Sequence, residues 1–184
     1  MGTLTASAGT WSQPFDPEVL NYTLTLDEFT KKVKITDTAE SSLARVSPRS
    51  KTVSLSNNQT KVVKITVKAQ SGAKQTYVIT VFRRPSTDMT LKYLKTSTRS
   101  SPLTPVFSAG QLGYTVTMPA STASTSKVTL SFRANGYKAY VMVDGVKKSS
   151  YRVTLAAGQT AVVRVKVIAQ AGNSQEYVIT VMRP

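Results

Sequence analysis

The chain has 184 residues, with 24 Lys+Arg against 9 Asp+Glu, a formal charge of +15, and neither Cys nor His. The missing residue types exclude thiolate and imidazole catalysis, Ser-His-Asp triads, disulfides and Cys/His zinc sites. The charge favours anionic partners but says nothing about fold.

Along the chain the apolar residues recur with a period of two. Tyr22, Leu24 and Leu26 alternate with Thr23 and Thr25, and Val63, Ile65 and Val67 with Lys64, Thr66 and Lys68. Val163, Val165 and Val167 alternate with Arg164 and Lys166. Each run predicts a half-buried strand, and Val, Ile, Thr and Tyr are the residues that suit one. Ser71-Gly72 and Ala171-Gly172 each separate two such runs and predict a hairpin. Asp144-Gly145, between Tyr140-Val141-Met142-Val143 and Val146, predicts another, where the earlier part of the chain has the looser Ser47-Pro48-Arg49-Ser50. No stretch reads as a helix, and no run of about 18 apolar residues is present to span a membrane. The opening Met1-Gly2-Thr3-Leu4 lacks a charged segment followed by an apolar one. That leaves a cytosolic protein or a fragment of a larger secreted one without its signal peptide.

The chain repeats itself. Val53 to Arg83 aligns without gaps on Val153 to Arg183, with about 17 of the 31 positions identical. Upstream, Phe15, Leu20, Tyr22-Thr23 and Thr25 fall on Phe107, Leu112, Tyr114-Thr115 and Thr117 at a smaller offset, so the second copy carries an insertion between Thr117 and Val153. The prediction is all-β: two tandem antiparallel β-sandwiches, residues 1–85 and 86–184, joined at Arg84-Pro85-Ser86-Thr87. Proline restricts itself and its predecessor, so this short linker is expected to give a semi-rigid pair.

Gly9-Thr10-Trp11-Ser12-Gln13-Pro14-Phe15-Asp16-Pro17, then Asn21 to Leu26, closed by Gly72 and Tyr77-Val78-Ile79-Thr80-Val81-Phe82-Arg83, resembles the cadherin-like, immunoglobulin-like β-sandwich domain. The second copy repeats the pattern with Phe107, Tyr114 to Pro119 and Gly172 through Arg183. The resemblance implies a non-catalytic structural or adhesive module of an extracellular or cell-surface protein. Its partners would be neighbouring domains of a longer parent chain or surface-assembly proteins.

Candidate sites are few. Calcium bridging needs six to eight oxygen ligands, and the junction offers only Asp88 beside Arg83 and Arg84, so no metal site and no cofactor is expected. Asp16 with Glu18, Asp27 with Glu28, and Asp37 with Glu40 are sequence neighbours that the second copy does not keep, and they read as solvated turn residues rather than a catalytic pair. Thr30-Lys31-Lys32-Val33-Lys34-Ile35 has the basic spacing suited to acidic glycans, with Lys32 and Lys34 on one face of a strand. Lys64, Lys68, Arg164 and Lys166, with Arg133, Lys147, Lys148 and Arg152, widen the basic surface and would form a stripe if several strands present them together. The bland reading is a charged face that resists edge-to-edge pairing. Nucleic acid is disfavoured because Tyr22, Tyr77, Tyr114 and Tyr177 read as core rather than as base-stacking platforms. Trp11 likewise reads as a core plug. Asn21 and Asn58 begin N-x-T sequons, glycosylation candidates in a eukaryotic secretory host. Two functions follow: a spacer or assembly module, and alternatively a binding module for acidic polysaccharide.

Overall fold

The period-two runs become sheet faces. A computed structural model describes all 184 residues, entirely as strands, turns and loops without helix. They form two compact units, Met1–Pro85 and Ser86–Pro184.

In the first unit the strands are β1 (Thr3–Ala6), β2 (Thr10–Trp11), β3 (Asn21–Leu26), β4 (Lys32–Thr38), β5 (Arg45–Ser47), β6 (Ser50–Ser54), β7 (Thr60–Lys68) and β8 (Lys74–Arg83). They make one sheet ordered β1-β4-β6 and another ordered β2-β3-β8-β7-β5. Leu24, Leu26, Val33, Ile35, Ile65, Tyr77, Ile79 and Val81, drawn from both sheets, meet in one core. Burying each such side chain contributes roughly 1.5–3 kcal/mol, which is why the alternation fixes the register.

The second unit repeats this plan with β9 (Leu91–Thr96), β10 (Leu103–Thr104), β11 (Gly113–Thr117), β12 (Ser126–Ala134), β13 (Tyr140–Val143), β14 (Val146–Lys147), β15 (Ser150–Leu155), β16 (Thr160–Ile168) and β17 (Ser174–Met182). Its sheets are ordered β15-β12-β9 and β10-β11-β17-β16-β13-β14. The insertion is spent in two places, the loop before β12 and the β13–β14 hairpin. That hairpin turns at Asp144 and Gly145 with φ of 52° and 73°, the two left-handed residues that a tight primed turn requires. Gly72 and Gly172 turn the β7–β8 and β16–β17 hairpins.

One pairing in each unit departs from the antiparallel expectation. β3 runs parallel to β8, from Asn21 beside Val78 to Leu26 beside Arg83, and β11 runs parallel to β17, from Gly113 beside Val178 to Thr117 beside Met182. Alternation decides which face a residue takes and leaves the direction of its neighbouring strand open, so the sequence carried no sign of this.

The loop ahead of each of these strands is held by tyrosine hydroxyls. Tyr22 Oη donates to Asp16 O at 2.7 Å and accepts from Asp16 N at 2.8 Å, and Tyr114 does the same with Ser108. Tyr77 Oη donates to Pro17 O, and Tyr177 Oη to Ala109 O. Burial pushes the Tyr77 and Tyr177 phenols up. Trp11 is half-buried against this core, edge-on to Tyr22 with ring centres 6.0 Å apart.

Each unit ends on a buried arginine. Arg83 donates to Leu55 O and Glu28 O. Arg183, 2% exposed, donates to Leu155 O and to Ser121 O, Ala123 O and Ser124 O of the loop before β12.

Candidate interaction surface

Of the acidic pairs, Asp16 and Asp27 do decorate turns. Asp16 Oδ1 accepts from Glu18 N, and Asp27 Oδ1 from Phe29 N and Thr30 N. The amide of Thr30, then that of Phe29, holds the Asp27 carboxyl below its ordinary range. Asp37 corrects the expectation of a solvated residue. It lies on β4 at a core-facing place, 5% exposed, with neither carboxylate oxygen hydrogen-bonded. Burial pushes its carboxyl up, opposed in part by Arg49, which lines the same recess of about 220 Å³.

The predicted cations do not share one stripe. Lys32 and Lys34 are exposed on β4 between buried Val33 and Ile35, with Lys31 exposed just before the strand. Lys64 and Lys68 are exposed on β7, in the other sheet of the same sandwich. Both sheets turn their apolar sides to one core, so their outer faces look in opposite directions. In the second unit Arg164 Nη1 is 2.8 Å from Glu176 Oε1, and Lys166 stands opposite Glu176 across the ladder, so an acid already offsets these two.

Register assembles two basic faces that sequence proximity conceals. On the outer face of the five-stranded sheet, Arg45, Lys68 and Lys74 stand directly opposite one another across β5, β7 and β8, with Lys64 four residues along. On the outer face of β15-β12-β9, Lys127 and Arg133 of β12 are flanked by Arg152, opposite Thr129, and Lys95, opposite Ser131. None of these strands contains Asp or Glu. On the second unit, tyrosine rings are already covered by ammonium groups, Lys95 over Tyr93 at 5.1 Å, Lys147 over Tyr140 at 5.1 Å and Lys148 over Tyr151 at 4.7 Å. Covered rings are poor platforms for stacking bases. Asn21 and Asn58 are both exposed, at the start of β3 and in the turn before β7.

A cadherin-like β-sandwich domain model matches residues 3–84 and again 88–184. The chain belongs to this family. Its two cadherin-like domains coincide with the two sandwiches. Among solved structures, the fibronectin(III)-like modules of Clostridium thermocellum CbhA match at 13% identity and a TM-score of 0.27, over 98% of this chain and 95% of that one. The Bacteroides ovatus mixed-linkage glucan utilization protein SGBP-B, solved with a mixed-linkage heptasaccharide, matches at 12% identity and a TM-score of 0.30, over 98% and 70%. Both are remote likenesses. Among curated proteins, none matches significantly. No helix is long and apolar enough to cross a membrane.

Proposed function

We propose that the tandem cadherin-like domains form a load-bearing, non-catalytic module of an extracellular or cell-surface protein, a semi-rigid spacer or assembly unit between neighbouring domains. The parallel pairing of β3 with β8 and of β11 with β17 carries this reading. When such a domain is stretched from its ends, the force reaches β3 once β1 has left β4 and β2 has left β3, and it then draws β3 toward its own start and the adjacent β8 toward its own end. The two strands slide past one another, and their hydrogen bonds resist together rather than opening singly. A short linker with Pro85 passes the load on with little slack. In this setting Asn21 and Asn58 are open to glycan attachment.

The test is single-molecule stretching of the whole chain, which has no native Cys to complicate attachment. Pulling between the termini should unfold each domain at a force several times that needed when the first domain is pulled through cysteines placed at Asn21 and Lys74. Those two residues lie at the starts of the parallel strands, where the ladder opens like a zip. Equal forces in the two geometries would refute the mechanical reading.

A second reading, binding of acidic polysaccharide, is favoured by the acid-free basic faces. Of the candidate contacts, Lys64 and Lys68 lie on such a face, Lys31, Lys32 and Lys34 stand at the other sheet of the same sandwich, and Arg164 and Lys166 are already met by Glu176. Binding of this kind weakens steeply as salt rises. Salt-independent binding of a neutral glycan would count against it.

A further inference from the structure

We infer that the row Arg45–Lys68–Lys74 is an acidic-polysaccharide site. The inference rests on the polyanion reading above and fixes its place. Directly opposite positions in an antiparallel ladder are where opposite charges stabilise a sheet and like charges weaken it. Here three cations occupy one such row across three strands: Arg45 is paired with Lys68, and Lys68 with Lys74. No acid on those strands offsets them. The second domain shows that the fold does not require the charges, since the matching row holds Tyr140, Ile168 and Ser174. The row is therefore free to serve a partner that is absent from the fold.

The shape of the surroundings agrees with the charge. Arg45 and Lys68 line an open recess of about 370 Å³ with Leu43, Ala69 and Gln70, and Leu43 is 64% exposed. The next level of the ladder offers the paired hydroxyls of Thr66 and Thr76, 3.1 Å apart. Neighbouring strands lie about 4.8 Å apart, comparable to the length of one sugar residue. A chain of acidic sugars laid across the strands thus brings successive anionic groups over successive cations, with its ring faces toward Leu43 and its hydroxyls toward the threonines. No aromatic side chain lines the recess to stack a nucleobase.

The experiment measures binding of the full chain to dextran sulfate, polygalacturonate, uncharged dextran and a single-stranded DNA oligonucleotide at about 150 mM salt. Two triple variants each remove three positive charges, R45T/K68T/K74T from the row and K95T/R133T/R152T from the basic face of the second domain. Threonine favours strands and all six positions are exposed, so the fold should survive, which circular dichroism and thermal unfolding check. The row variant should bind the two acidic polysaccharides about tenfold or more weaker with a shallower salt dependence, and the other triple should change by less than about threefold. Equal losses in the two variants would reduce the effect to net charge and overturn the inference. Undiminished binding by the row variant would overturn the location and leave the polyanion reading standing. No binding of acidic polysaccharide by the unmodified chain would remove that reading itself. Tighter binding of DNA through the same row would assign the site to a different class of partner.

Discussion

Asp37 and Phe132 occupy the same place in the two domains. Each lies four residues beyond the valine of its strand, Val33 or Val128, that pairs with Val53 or Val153, and each faces the core. Where the second domain buries a ring, the first buries a carboxylate without a hydrogen-bond partner. An unpaired buried polar group costs roughly 1–3 kcal/mol. Asp37→Leu should therefore stabilise the first domain by about that amount, seen as a higher urea midpoint for its transition, with the second domain unmoved. A destabilised variant would show that Asp37 has a partner in solution.

The same carboxyl sets a pH dependence. Burial raises its folded pKa above the ordinary unfolded value of about 3.9. Between the two values the folded state holds the extra proton, so stability from this group rises as pH falls through the folded pKa and levels off below the unfolded one. Asp27, whose carboxyl is lowered by the Thr30 and Phe29 amides, acts oppositely: its contribution is present above the unfolded value and is lost as pH falls through the lower folded one. Unfolding midpoints measured from pH 7 downward should show the first effect in the unmodified chain and not in Asp37→Leu.

Arg183→Met should destabilise the second domain strongly. It strands four carbonyl acceptors, of which Leu155 O is met from within the core. A buried acceptor left without its donor costs about 1–3 kcal/mol, and Leu155 O is such an acceptor while the loop carbonyls lose the tie that holds them. Arg183→Lys should recover only part of this, because an ammonium group lacks the planar fork that reaches carbonyls from two loops. Thermal unfolding of the two variants orders them.

Two glycines with left-handed backbones should respond unequally to alanine. At Gly9, with φ of 96°, a Cβ would lie 2.7 Å from Cδ2 of the buried Leu26 and 2.9 Å from Thr25 O. At Gly72, with φ of 90°, it would meet nothing within 4 Å. Gly72→Ala should cost about 1 kcal/mol from backbone conformation alone, and Gly9→Ala at least about twice that, because the clash adds to it. Denaturant unfolding of both variants measures the difference.

The strands, the glycine hairpins and the two repeats were legible because each rests on a local rule: period two, a positive φ at the turn, and self-similarity. Asp37 was misread by pairing it with its sequence neighbour Glu40. The run Val33, Ile35, Asp37 already put it on the buried side, and the aligned Phe132 would have exposed the conflict. Arg83 and Arg183 gave a comparable signal, since Ile79, Val81 and Arg83 share one side of their strand and point inward together. The basic row left no sign in sequence. Arg45, Lys68 and Lys74 lie on three strands, and only the register makes them neighbours. Lys32 and Lys64 were grouped by their common alternation, a property that carries no information about which sheet each strand joins.

The position of β8 has a consequence for biosynthesis. It lies inside its sheet, with β3 on one side and β7 on the other, yet it is the last strand of the first domain to be made. Until residues 74–83 leave the ribosome, β3 has no partner on that side and Glu28 O and Leu55 O have no arginine. The three-stranded sheet β1-β4-β6 has all its strands once Ser54 is made, whereas the five-stranded sheet needs β8 at its centre. The five-stranded sheet stays divided into the pairs β2-β3 and β7-β5 until β8 enters between them.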